Sequence, residues 1–216
     1  MTNFRWNRAM ALTGVAFFVA LLVNVFFVSD SLDDRSSGAA IVDQFRAHRA
    51  AYEVKGGMIT VLVVIGVLFY AVLRDFLRTE PRNHDVASIA FGGALLFGAS
   101  GALNNGITFV LAHASASLDP SAAKALYDMQ YAGRFLEDAG VALLALASAY
   151  AILRSDLLPR WTGWLALVAG VAALVPPIDF ASFILIGVWT LCVSITMHAR
   201  LRDGIAATAR VAASLT

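Results

Sequence analysis

The sequence predicts an all-α polytopic membrane protein: a bundle of six transmembrane helices with an outer amphipathic segment between helices 1 and 2. Two observations carry this. Hydrophobic residues make up 59% of the chain and charged residues 14%, against about 45–50% and about 25% in soluble domains. The apolar residues also fall in six long blocks divided by prolines and charges, as a hydrocarbon layer demands of crossing helices of about 20 residues each. Six such helices consume about 120 residues, so residues 1–216 are expected to form a single membrane domain.

The first block, Ala9 to Val28, follows Arg5 and Arg8 and imitates a secretion signal. Its 20 residues exceed a signal core of about 7–15, and it leads into Ser29-Asp30 rather than a small-residue cleavage site. It reads as an uncleaved span over 9–28. Beyond it, Ile41, Phe45 and Tyr52 recur at near-helical spacing among Asp43, Arg46, Arg49 and Glu53. That is the pattern of an amphipathic helix on the outer surface, with Gly56-Gly57 as a hinge into the second span at 57–76. A solvated connector is the plainer reading of this helix, and a lid over a pocket the alternative.

Pro81 closes the second span, and the third follows at 87–112. There Ala90, Ala94, Gly98, Ala102 and Gly106 recur every four residues. Such a small-residue ridge admits a neighbouring backbone in lipid, where association depends on packing, and it marks the third span as the central helix. Near its outer end stand Asn104 and Asn105. Burying an amide without partners costs about 2–7 kcal/mol, so at least one must face protein or water.

Asp119-Pro120 is a strong helix start, and nothing interrupts the helix before the segment Ser155 to Pro159. The resulting helix is about 50 Å long at 1.5 Å per residue, against a hydrocarbon core of about 30 Å. Its purely apolar part, Ala139 to Leu153, has 15 residues and is too short to cross. The fourth span, 134–153, therefore draws in Arg134, Glu137 and Asp138, with Arg134 reaching both carboxylates at i+3 and i+4. Tyr127, Gln130 and Tyr131 continue that face outward. A charge at the bilayer centre costs about 2.5–3.5 kcal/mol even on the lenient insertion scale, so these residues are expected either to line a watery cavity or to snorkel to the headgroups.

Pro159 precedes the fifth span, 160–176, and Pro176-Pro177 separates it from the sixth, 180–199. Trp161 and Trp164 beside Arg160 form an interface anchor. Ten of the 16 Lys and Arg residues fall on the side that holds both termini, which predicts cytoplasmic termini. With that orientation Asn24, Asp30, His113 and Asp179 lie at the same outer depth as the charged part of span four. The inner half has no matching polar set, so an outward-facing pocket fits better than a channel.

The stretch Leu157-Leu158-Pro159-Arg160-Trp161-Thr162-Gly163-Trp164-Leu165-Ala166-Leu167-Val168-Ala169-Gly170, with the long Asp119-Pro120 helix before it, resembles a broad group of uncharacterised bacterial multipass membrane proteins assigned to domains of unknown function. The likeness covers about the C-terminal half. It implies a bacterial cytoplasmic-membrane protein and carries no catalytic residues across.

Several function classes are disfavoured. A net charge of +1 with dispersed basic residues gives no reason to expect nucleic acid. The single cysteine, Cys192, can form neither an intrachain disulfide nor a thiolate metal site. His48, His84, His113 and His198 include no i,i+4 pair, so no metal or cofactor is expected. Phosphate loops, nucleophile elbows and metalloprotease helices are absent from the sequence. The leading expectation is a non-enzymatic protein, surrounded by lipid bilayer, that binds or passes a small amphiphilic molecule in a pocket lined by Asn104, Asn105, Tyr131, Arg134, Glu137 and Asp138. One alternative is an intramembrane enzyme with Glu137 or Asp138 as general acid, by analogy with membrane-bound terpene cyclases. Another is a structural subunit that makes helix–helix contacts through Ala94, Gly98, Ala102 and Gly106.

Overall fold

A computed structural model describes residues 9–27, 32–33, 35–175 and 178–214, and among these described residues the proline and charge boundaries divide the chain into seven α-helices. The side chains of 179–180 and 203–214 are not described. Arg5, Arg8, Asp30, Pro176, Pro177 and the Asp179 side chain thus lie outside the described residues. The helices are α1 (Thr13–Phe26, preceded by a helical turn at 9–11), α2 (Gly38–Ala47), α3 (Arg49–Leu77), α4 (His84–Ala114), α5 (Pro120–Leu153), α6 (Arg160–Ala173) and α7 (Asp179–Ser214). No strand occurs among the described residues.

Among the described residues five segments are long and apolar enough to cross a membrane: Ala9–Phe26, Arg49–Leu77, Pro81–Ala114, Pro120–Leu153 and Ala181–Arg202. Their polarity is that of a membrane protein. The fifth apolar block is the exception in length. α6 has 14 residues, about 21 Å at 1.5 Å per residue, against a hydrocarbon core of about 30 Å.

Neighbouring helices pack in a ring: α1 on α3, α3 on α4, α4 on α5, α5 on α6, α6 on α7, and α7 back on α1. Phe17, Phe69, Tyr70, Leu144 and Trp189 are buried in the shared core. Apolar solvent offers no partner to a buried polar tip, and the tips of the two amphipathic aromatics of the core are paired internally. Trp189 Nε1 donates to the Thr162 carbonyl at 3.0 Å, and the Tyr70 and Thr190 hydroxyls are 2.9 Å apart.

The small-residue ridge of α4 does not form one seam. Four residues turn a helix through about 400°, so a strict four-residue repeat advances about 40° per step and spirals about 160° from Ala90 to Gly106. Ala90 and Ala94 are accordingly buried, Gly98 and Ala102 are half-buried, and Gly106 has open space beside it. The close approach to α5 instead uses Gly93 and Gly140. A Cβ on Gly93 would lie 2.4 Å from the Leu144 nitrogen, and one on Gly140 would lie 2.5 Å from the Phe97 nitrogen.

The expected hinge is also displaced. α2 ends at Ala47, the chain breaks at His48 (φ −118°, ψ 26°), and α3 runs unbroken through Gly56-Gly57. Gly56 serves packing: a Cβ there would meet Phe109 Cβ at 2.9 Å and the Asn105 carbonyl at 3.1 Å. Tyr52 and Glu53 consequently belong to α3. Nor is α2 a solvated connector. It buries Ile41, Val42 and Phe45 with Ile107, Leu111, Ala112 and Ala123 of α4 and α5, stacks Phe45 on Tyr52 with centroids 4.3 Å apart, and donates Arg46 Nη2 to the Ser115 carbonyl at 3.0 Å. It is docked across one end of the ring, here termed the α2 end.

Candidate functional site

The site follows from the length of α5. Asp119 caps its first turn, accepting from the Ser121 and Ala122 backbone N–H groups at 2.8 and 3.4 Å. Its carboxyl is held below the usual carboxylate range by the Ser121 side chain foremost and then by those N–H groups. From there α5 runs unbroken for 34 residues, and its polar first half lies beside the polar end of α4.

Where the two meet, Asn104 Nδ2 donates to Glu137 Oε1 at 2.8 Å. Both residues are buried, at 5% and 8% exposure, so each satisfies a group the other could not leave unpaired. Gly133 makes the pairing possible, because a Cβ there would lie 2.3 Å from Asn104 Oδ1. Thr108 Oγ1 donates to the Asn104 carbonyl at 3.2 Å, and Gln130 Nε2 donates to Thr108 Oγ1 at 2.8 Å. These bonds form a polar ladder along the α4–α5 seam from Gln130 to Glu137. Asn105 Nδ2 donates to the Gly101 carbonyl of its own helix at 2.9 Å. On the far side Asn24 Nδ2 donates to the Lys55 carbonyl at 3.2 Å.

The ladder borders a cavity of about 540 Å³ walled by α1, α3, α4, α5, Phe45 of α2 and Phe183 of α7, within the range of about 300–1,000 Å³ common for small-molecule sites. Its walls follow α3 from Tyr52 to Tyr70, about 27 Å at 1.5 Å per residue. Asn24, Lys55, Asn105, Gln130, Arg134 and Glu137 line the α2 end, while Phe17, Leu21, Leu62, Gly66 and Phe97 line the other. The cavity is thus amphiphilic along its length.

Of the residues singled out from sequence, Asn104, Asn105, Tyr131, Arg134 and Glu137 all contribute to these walls. Tyr131 is a half-exposed rim residue. Asp138 is buried at 7% exposure but is not among the wall residues, since successive helix positions point about 100° apart. Asn24 joins the site. His113 instead lies 3.2 Å from Glu53, which also holds Arg49 at 2.9 Å, on the surface of the α2 end. Sequence reasoning missed Thr108, Lys55 and Tyr70. Thr108 was signalled by its place one turn after Asn104, and Tyr70 by a hydroxyl in an otherwise apolar block, which must find a partner when buried. Among the described residues no group of three His, Cys, Asp or Glu is placed to hold a metal. Compared with protein-family models, with curated proteins and with solved structures, the chain matches none.

Proposed function

We propose that this protein binds or passes a small amphiphilic, lipid-like molecule in the cavity, with the head group at the α2 end and the tail against the apolar walls. The observation that carries the reading is the two-ended lining, with Asn24, Asn105, Arg134 and Glu137 at one end and Phe17, Leu21 and Phe97 at the other. In this reading the chain sits in a bacterial cytoplasmic membrane with both termini inside and the α2 end outside, following the Lys and Arg count. α6 serves as a sixth, short crossing that the bilayer meets by local thinning. Its packing supports this: Gly163 lies against Leu153 and Gly170 against Leu146, so α6 runs antiparallel to α5 over its whole length.

Native mass spectrometry of the detergent-purified protein tests the reading. The wild type is expected to retain a lipid-like adduct, and Arg134→Ala to lose it, because Arg134 lies within electrostatic reach of Glu137 and its removal leaves that charge uncompensated. If neither form retains a small molecule and the protein runs only with another polypeptide, the subunit reading replaces this one. The buried Glu137 at an apolar-walled cavity also suits carboxylate acid catalysis on an isoprenoid substrate. Cyclised product from the wild type and none from Glu137→Gln would move the assignment to an enzyme.

A further inference from the structure

The cavity narrows to a confined apolar end. There α1 meets α3 at Gly66, where a Cβ would lie 2.9 Å from the Phe17 ring, and meets α7 at Gly187, where one would lie 3.0 Å from Leu21. Phe97 of α4 faces Phe183 of α7 with centroids 6.0 Å apart, and α4 and α5 approach closely at Gly93 and Gly140. A tail that enters from the α2 end is held along the bundle and stops where the way is blocked. Tyr70 is the block. It is the last wall residue on α3 and is 3% exposed. Its ring is fixed from three directions: edge-on to Phe17 and to Phe69, with centroids 5.7 and 5.2 Å away, and through its hydroxyl, 2.9 Å from that of Thr190. Beyond Tyr70 open space resumes. A second void, too narrow for water, is lined by Leu73, Arg74, Leu77, Ala90 and Phe91, and among the described residues Tyr70 alone borders both spaces.

We infer that Tyr70 is the floor of the binding site and selects ligands by tail length, admitting tails of up to about 18 carbons. This deepens the function proposed above and rests on it. Lys55 at the polar end and Tyr70 are both wall residues of α3, about 22 Å apart along the helix at 1.5 Å per residue. An extended alkyl chain, with bonds of about 1.52 Å at about 111°, advances about 1.25 Å per carbon. About 18 carbons therefore reach from the Lys55 level to the floor. A longer tail must press on a ring that its neighbours hold in place, which is overpacking.

The test is a length series. Full-length protein in detergent is mixed with saturated 1-monoacylglycerols of about 12 to 24 carbons, which bracket the limit, and separately with fatty acids of the same lengths. Native mass spectrometry then resolves the adducts. In the wild type, retention is expected to vary little up to about 18 carbons and to fall at least about tenfold by about 22, in both series. Tyr70→Ala should move the limit outward by about four carbons, one helical turn of about 5.4 Å toward Leu73 and Arg74. Tyr70→Phe keeps the ring and should leave the limit in place. Gly98→Leu should expel every probe, because Gly98 borders the cavity with only Val63 nearby, at 3.6 Å, and that level lies about 10 carbons from Lys55. If wild-type retention does not fall at the long end, or the limit stays put in Tyr70→Ala, while Gly98→Leu still expels the probes, the floor is overturned and the cavity stands. If neither series binds, or Gly98→Leu changes nothing, the cavity reading itself fails, and this inference with it. Should Tyr70→Ala not fold, Tyr70→Leu replaces it with a smaller outward shift, and the wild-type limit alone can overturn the floor.

Discussion

Gly133→Ala probes the Asn104–Glu137 contact without altering either partner. The new methyl would lie 2.3 Å from Asn104 Oδ1 and 3.3 Å from Nδ2, so Asn104 must turn away, and its 2.8 Å bond to Glu137 is lost. A hydrogen bond to a charged group contributes about 1.5–3 kcal/mol. Replacing a helical glycine by alanine returns about 1 kcal/mol. The net expectation is a destabilisation of about 0.5–2 kcal/mol. In an Asn104→Ala background the obstruction is gone, and the same Gly133→Ala change should stabilise by up to about 1 kcal/mol. The assay is reversible denaturant unfolding in detergent of the wild type, both single variants and the double variant. The coupling expected from the cycle is about 1.5–3 kcal/mol. An effect of the same sign and size in both backgrounds would show that Gly133 and Asn104 are energetically independent, and the described ladder would be wrong.

At the α4–α5 crossing, Gly93→Ala and Gly140→Ala place a methyl against backbone rather than side chain. Each should lower stability by about 1–3 kcal/mol, whereas Gly92→Ala, with nothing within 4 Å, should be neutral or mildly stabilising in the same melts. The carboxyl of Asp119 is depressed below its ordinary value of 3.8, so its contribution is complete above that value and fades as pH falls through the lower folded-state value. The melting advantage of wild type over Asp119→Ala should therefore hold from neutral pH to about 3.8 and shrink below it; a gap that widens on acidification would contradict the cap. Topology is read by a membrane-impermeant maleimide in a Cys192→Ala background on intact cells. Ser36→Cys is expected to label directly and Ser155→Cys only after permeabilisation, and the opposite result would invert the assigned orientation.

The parts legible in the sequence were those set by one residue's chemistry at a time. Asp119-Pro120 fixes the start of α5 because a carboxylate cap and a preset φ act locally, and Arg134 and Glu137, which precede the apolar run from Ala139, are found on the cavity wall. What the sequence concealed depends on how two helices face each other. The Ala90 to Gly106 repeat looks like one stripe when written out, but its spiral hides that Gly93, outside the repeat, makes the closest approach. Gly56-Gly57 reads as a hinge because glycine permits one; only the position of Phe109 and the Asn105 carbonyl shows that Gly56 is there for space. Glu137 finds Asn104 rather than an ion pair alone because the α4–α5 register, set at Gly93 and Gly140, brings positions 33 residues apart together.

The two irregular helices account for the site jointly. Gly170 meets Leu146, and α6 ends three residues later at Ala173. The antiparallel α5 therefore continues past the end of α6 from Glu137 back to Pro120, the stretch that carries its polar residues. A full-length α6 would bring another apolar helix alongside that stretch, and Arg134 and Glu137 would have to be desolvated against it. With α6 short, α4 supplies Asn104 and Thr108 to one side of this stretch, and the ring interior remains as the cavity. The deficiency in apolar length of α5 and the early end of α6 are then complementary. If the proposed function holds, a variant that extends the apolar run by replacing Arg134 and Glu137 with leucine should insert well and lose the lipid-like adduct in native mass spectrometry, because both side chains line the polar end of the cavity.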